Sequence, residues 1–165
     1  MFRTLLAAAA VAMIAGAANA QENAAEIEQL GAASFVDVDQ DGLLNFTSVA
    51  QEAFGARIRV LQDGRRNEAV AEQGGELSEL FITQIGQDNF ADARQDVGPD
   101  SSFQNLARVT QDGRENNAVV RQGGSFNTLV LEQAGRNQLA EIAQAVGAGG
   151  DTNTVRVAQS GRDNQ

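Results

Sequence analysis

The 165-residue chain has no cysteine, histidine, lysine, tryptophan or tyrosine, and a single proline, Pro99. Each absence removes a class of function. Without Cys or His there is no Cys/His zinc site, no thiol nucleophile, no Ser-His-Asp triad and no disulfide framework. Hydroxyls such as Ser34 and Ser78 lack a histidine base, so the sequence does not point to a hydrolase, and no cofactor is expected. All 12 basic residues are Arg, set against 22 Asp and Glu. A net charge of -10 argues against nucleic acid or an anionic membrane as partner. What the chain has in excess is Gln and Asn, 29 together, and 17 Gly.

The first twenty residues have the form of an export signal. Arg3 gives a charged start, residues 5–15 are an apolar run, and Ala18-Asn19-Ala20 supplies the small-x-small pattern of a cleavage site. The run is shorter than the roughly 20 residues a bilayer span needs, and no membrane span is expected in the mature chain. Cleavage of 1–20 would leave Gln21 as N-terminus and, with Arg3 gone, 11 Arg against 22 acidic residues, or -11 over 145 residues.

The Gln residues are periodic. Gln40, Gln51, Gln62, Gln73, Gln84 and Gln95 are spaced by eleven, Gln111, Gln122, Gln133 and Gln144 resume the spacing, and Gln159 follows after a longer gap. Alternate members begin Gln-x-Gly, with turn glycines Gly42, Gly64, Gly86, Gly113, Gly135 and Gly161, so the true unit is 22 residues. It reads [Ser/Asn]-x5-Gln-x-Gly-x-x-Asn-x-Ala-x3-Gln and occupies 34–51, 56–73, 78–95, 105–122 and 127–144, with a sixth copy over 153–165. Residues 21–33 stand outside it as an N-terminal segment; loosely amphipathic through Ala25, Ile27 and Leu30, it could serve as a cap.

An 11-residue period can mark a right-handed coiled coil, but a Gly in every copy would weaken a helix by about 1 kcal/mol each. The alternation within each copy has period two: Ile58 and Val60 before Gln62, then Asn67, Ala69, Ala71 and Gln73. That is the pattern of half-buried strands. The predicted fold is all-β, a β-solenoid of about six 22-residue strand-turn-strand repeats whose two parallel sheets face across a thin core. Gly74-Gly75 and Gly123-Gly124 are expected to supply positive φ where copies join, as the turn glycines do within them. Two joins are longer, 96–104 with Pro99 and 145–152 with Gly149-Gly150.

Buried Gln and Asn are costly unless paired. Stacked at about 4.8 Å, like residues form ladders in which each amide donates to one neighbour and accepts from the other. The expected ladder positions are a leading Ser34, Ser78, Asn105, Asn127 and Asn153; a first Gln at 40, 62, 84, 111, 133 and 159; Asn45, Asn67, Asn89, Asn116 and Asn164, with Gln138 in the fifth copy; and Gln51, Gln73, Gln95, Gln122 and Gln144. Ala56 replaces the leading Ser of the second copy, and Thr47 the Ala of the first. No cap follows the sixth copy, and open ladder ends make another copy of the chain the expected partner.

This motif resembles the curlin repeat of curli amyloid subunits. The resemblance implies export from a Gram-negative-type cell through a dedicated outer-membrane pore. It also implies polymerisation into extracellular cross-β fibres of the biofilm matrix, which mediate adhesion and aggregation, with a nucleator or major subunit as counterpart. Major and minor subunit are not resolved. Arg65, Arg114, Arg136 and Arg162 each follow a turn Gly and would form a column of like charge; neighbours about 5 Å apart in water repel by about 1 kcal/mol. Asp63, Asp112, Glu115 and Asp163 lie nearby to offset it, and the column could slow premature assembly. Phe35, Phe46, Phe81 and Phe90 are expected on the outside.

One competing pattern is a calcium loop. Asp37, Asp39, Asp41, Gly42 and Asn45 resemble an EF-hand, but Ser48 stands where the bidentate Glu belongs. The alternative reading is a soluble surface β-solenoid with calcium bound near Asp37, Asp39, Asp41 and Asn45.

Overall fold

The computed structural model describes residues 22–95, 103–144 and 152–165. The export signal, Pro99 and the Gly149-Gly150 pair lie outside these residues. Twelve strands follow in order: β1 (Ala24–Gln29), β2 (Phe35–Leu43), β3 (Phe46–Gln51), β4 (Arg57–Arg65), β5 (Glu68–Gln73), β6 (Glu79–Gln87), β7 (Phe90–Gln95), β8 (Leu106–Arg114), β9 (Asn117–Gln122), β10 (Thr128–Arg136), β11 (Leu139–Gln144) and β12 (Thr154–Arg162). Even-numbered strands have nine residues and odd-numbered ones six. Each kind forms its own six-stranded parallel sheet, in the orders β2-β4-β6-β8-β10-β12 and β1-β3-β5-β7-β9-β11. The molecule is a β-solenoid of 22-residue turns, a long-strand sheet facing a short-strand sheet.

Alternation places every second side chain inside. Ile58, Val60 and Gln62 of β4 are buried, as are Ala69, Ala71 and Gln73 of β5. The two sheets divide the core unequally. The long strands contribute the bulky pairs, such as Leu80 with Ile82 and Leu129 with Leu131, while the short strands contribute Ala91 with Ala93 and Ala69 with Ala71. Large residues from one side against small ones from the other let the sheets close to a thin, filled interior. Each fully buried Leu or Ile contributes about 2 kcal/mol of apolar burial.

Register is unbroken along the whole stack. Gln40, Gln62, Gln84, Gln111, Gln133 and Gln159 occupy equivalent positions, although the chain between Gln84 and Gln111 is longer than the usual unit. The extra residues fall in the joins and leave the strands alone.

Three features depart from the sequence reading. Residues 24–29, read as part of a segment outside the repeats, form a strand: β1 pairs in register with β3, so Ala25, Ile27 and Gln29 continue the inward row as half a turn of solenoid. The join glycines Gly74, Gly75 and Gly123 do not take positive φ, and Gly124 does. The left-handed residue at each join sits just before the leading ladder position, at Ala33, Gly55, Leu77, Gln104 and Phe126. Its location is set by the backbone, because the N–H of Leu77, for example, must turn to reach Phe54 O of the preceding turn at 3.0 Å.

Candidate functional site: stacked amide columns and open sheet edges

The turn between long and short strand is built from backbone constraints. Gly64 lies at φ 127°, and Arg66, two residues on, at 52°. The second is a non-glycine in the left-handed region, a conformation that costs about 1–2 kcal/mol. It recurs at Leu44, Asp88, Glu115, Asn137 and Asp163. A compensating bond recurs with it: Arg66 N–H donates to Leu43 O of the preceding turn at 2.9 Å, Asp88 N–H to Arg65 O at 3.0 Å.

The Gln residues form two continuous columns. In the long-strand sheet Gln40 donates to Gln62 at 2.7 Å, Gln62 to Gln84 at 2.8 Å, Gln84 to Gln111, Gln111 to Gln133 and Gln133 to Gln159, each at 2.9 Å. Each Nε2 also reaches a carbonyl of the opposite sheet, as Gln84 does to Glu68 O at 2.8 Å. In the short-strand sheet the column runs from Gln29 through Gln51, Gln73, Gln95 and Gln122 to Gln144. Every donor points from lower to higher residue number, so both columns are polar chains of hydrogen bonds with one sense.

The Asn column works differently from the expected amide ladder. Asn45 Oδ1 accepts the backbone N–H of Asn67 at 3.0 Å, and Asn67 Oδ1 that of Asn89 at 3.2 Å. The Nδ2 of Asn67 donates to Gly86 O at 3.2 Å, one turn ahead. Asn is therefore a turn lock, and side chain-to-side chain bonding is only a secondary contact, as from Asn89 Nδ2 to Asn67 Oδ1 at 3.0 Å. The leading column is similar: Ser34 Oγ accepts Ala56 N–H at 3.3 Å, so Ala56 keeps its backbone bond without a ladder side chain. Asn105 Oδ1 accepts Asn127 N–H at 2.8 Å, and Asn127 Oδ1 accepts Asn153 N–H at 3.2 Å.

Among the described residues two buried amide atoms have no partner, Gln138 Oε1 and Gln144 Nε2. Gln138 stands in the Asn column. Its longer side chain still gives Nε2 to Ala134 O at 2.7 Å, but carries Oε1 out of line. Asn at this position would restore the acceptor geometry of the other turns. Gln138→Asn should stabilise the chain by about 1 kcal/mol, read as a higher urea midpoint at unchanged slope.

Three ladder-type residues escaped the sequence reading. Asn23 accepts Asn45 N–H at 2.8 Å, and Gln29 heads its column. Gln29 lies eleven residues before Gln40, which was the available signal. Thr47, read as a departure, is fully buried and bridges Gln40 Nε2 and Gln62 Oε1 at 3.1 and 2.9 Å.

The residues of the calcium alternative do not converge. Asp37 and Asp39 lie along β2, where Val36 and Val38 take the inward positions, and Asp37 pairs with Arg59 at 3.3 Å. Asn45 is buried and bound to Asp41 O and Gly64 O. Among the described residues no cluster of three or more acidic side chains could hold a metal ion. Strand geometry overrides the loop pattern.

The Arg column after the turn Gly is interrupted by Gln87 between Arg65 and Arg114, and Arg136 finds Glu115 at 3.6 Å. A stronger pair lies one residue on. Arg66 Nε and Nη2 donate to both oxygens of Asp88 at 2.6 and 2.7 Å, which holds the Asp88 carboxyl below its ordinary range. Both side chains are solvated, so the pair adds little stability. Arg57 and Arg108 of the next turn lie over the outward rings of Phe35 and Phe81, at 5.7 and 5.5 Å from the ring centres.

These columns can be compared with known families. Residues 104–135, spanning β8, β9 and nearly all of β10, match the curlin associated repeat. This segment carries a curlin associated repeat. Neither a curated protein nor a solved structure matches it significantly. Gln111, Asn116, Gln122, Asn127 and Gln133 fall within the matched segment and belong to the buried polar columns.

Proposed function

We propose that this chain is an exported structural subunit that extends curli-type amyloid fibres by end-to-end strand templating. Its work is assembly, consistent with a family of structural subunits, and its partner is another copy of itself. One observation carries the reading. On the edge strand β11, Gln144 Nε2 is buried without an acceptor, at the point where every earlier member of its column bonds to the next Gln. An orphaned buried donor costs about 1–3 kcal/mol, which a stacked Gln from another chain removes. The inward residues of the other edge strands agree, since Ala25, Ile27, Val155 and Val157 are only partly covered. Edge strands with free N–H and C=O groups template further strands.

Export would use residues 1–20 and, by family, an outer-membrane pore. A nucleator or major-subunit counterpart, and a role in biofilm adhesion, follow from the same resemblance. The test is fibre diffraction of residues 21–165 after incubation. A meridional reflection near about 4.8 Å, with preformed fibres abolishing the lag, is the expected result. A solution that stays monomeric under seeding refutes it.

A further inference from the structure

The two ends of the described solenoid are stepped, and the steps are complementary. At one end β1 extends the short-strand sheet one strand beyond the β2–β3 turn, with no strand opposite it among the described residues. At the other end β12 extends the long-strand sheet beyond the β10–β11 turn, again with no strand opposite among the described residues. A β12 from one copy and a β1 from the next together make one complete turn.

Bond polarity and charge favour the same fit. Both Gln columns run donor to acceptor toward higher residue number. They end on the unpartnered Gln144 Nε2 in one sheet and on Gln159 in the other, and begin with Gln29 and Gln40. Residues 22–52 carry seven carboxylates and no Arg, whereas the described residues of 128–165 set Arg136, Arg156 and Arg162 against Glu132, Glu141 and Asp163, with Arg156 3.4 Å from Glu132. The outward column that starts at Asp37 continues through Arg59, Phe81, Arg108 and Val130 to Arg156. Within one copy Arg59 already pairs with Asp37 at 3.3 Å, and Arg156 of a preceding copy would meet the same carboxylate from its open side. One contact opposes the fit: Glu141 ends the column that Glu26 begins, and Arg121, 3.4 Å from Glu141, lies beside it.

We propose that copies join head to tail with a half-turn offset. In this joint β11 of one copy pairs with β1 of the next, and β12 with β2, in parallel register. Gln144 donates to Gln29, Gln159 donates to Gln40, and Arg156 lies beside Asp37. The proposal rests on the self-assembly reading and specifies its interface. It makes the fibre polar, with one growing face presenting donors and the other acceptors.

Because the chain has no cysteine, engineered pairs report the joint cleanly. Asp39 and Ala158 occupy one outward column, as do Glu28 and Ala143 in the other sheet. Within a copy each pair is five turns apart, about 24 Å, and beyond disulfide reach; across the joint the Cα atoms would be about 4.8 Å apart. Fibres of D39C/A158C and E28C/A143C, mildly oxidised, should give ladders of linked chains on non-reducing denaturing gels. The yield should be at least about tenfold above that of D41C/A158C, which is displaced by two residues along the strand. If fibres form with the 4.8 Å reflection but the in-register pairs link no better than the displaced one, the joint is wrong and the assembly reading stands. If the parent chain forms no fibres under seeding, both fall.

Discussion

Gly113→Ala is expected to abolish the folded state, while Gly123→Ala, ten residues away, leaves it intact. A Cβ on Gly113 would lie 1.9 Å from Gly135 O, and the residue sits at φ 130°. Neither conflict can relax alone. Gly135 O is fixed because Asn116 Nδ2 of the preceding turn donates to it at 3.4 Å, and because the turn backbone stacks in register at this level. The positive φ cannot relax either, since it aims the chain into the Asn turn lock. Backbone overlap and a forbidden dihedral together should exceed about 4 kcal/mol, in the range that unfolds a domain of this size. At Gly123 a Cβ meets nothing within 4 Å and φ is not positive, so Ala should change stability by less than about 0.5 kcal/mol. Urea unfolding of freshly purified protein, followed by far-UV circular dichroism, measures both. Equal midpoints for the two variants would show that close stacking of the turn glycines does not govern the fold.

The contrast between these glycines also shows what the sequence could and could not reveal. The period of eleven, its doubling to 22 and the inward rows were legible because each buried position repeats the same chemistry. Gln40, Asn45 and Gln51 looked alike in the next copies for the reason that they touch one another. What escaped was set by contacts between copies rather than by residue type. Arg66 takes a left-handed conformation that arginine does not favour, because a backbone bond to Leu43 O of the preceding turn requires it. The β1 strand carries only the second half of the motif, Asn23, Ala25 and Gln29, without the Gln-x-Gly that marks the others. The calcium-like pattern was ambiguous for a physical reason too. Oxygen ligands at alternate positions are what an EF-hand loop and the outer face of a strand both look like, and the inward Val36 and Val38 mark the strand.

The Gln columns invite a test in which pH acts as the switch. Gln84 is fully buried, accepts from Gln62 at 2.8 Å, and donates to Gln111 Oε1 and Glu68 O at 2.9 and 2.8 Å. Gln84→Leu keeps the volume but strands two acceptors and one donor's second contact, a loss of about 3–5 kcal/mol at any pH. Gln84→Glu should behave conditionally. A protonated carboxyl still accepts from Gln62 and can donate to Gln111 Oε1, so the column survives with one bond to Glu68 O missing. An ionised carboxylate would face Gln111 Oε1 and Glu68 O with no proton to offer, in a dry interior. Burial and those two oxygens therefore raise its folded pKa above the unfolded value of about 4.3. With a raised pKa the folded state holds the proton more tightly. Relative to the parent chain, stability is thus fully present below about pH 4.3 and is lost as pH rises toward the folded pKa, at about 1.4 kcal/mol per unit. The unfolding free energy of Gln84→Glu should approach that of the parent at about pH 4 and fall several kcal/mol below it at about pH 7. Seeded fibre growth, compared with the parent at each pH, should follow the same course. Gln84→Leu should show no such recovery. A Glu variant as stable and as assembly-competent as the parent at pH 7 would mean that the buried amide column neither holds the solenoid together nor passes register from one copy to the next.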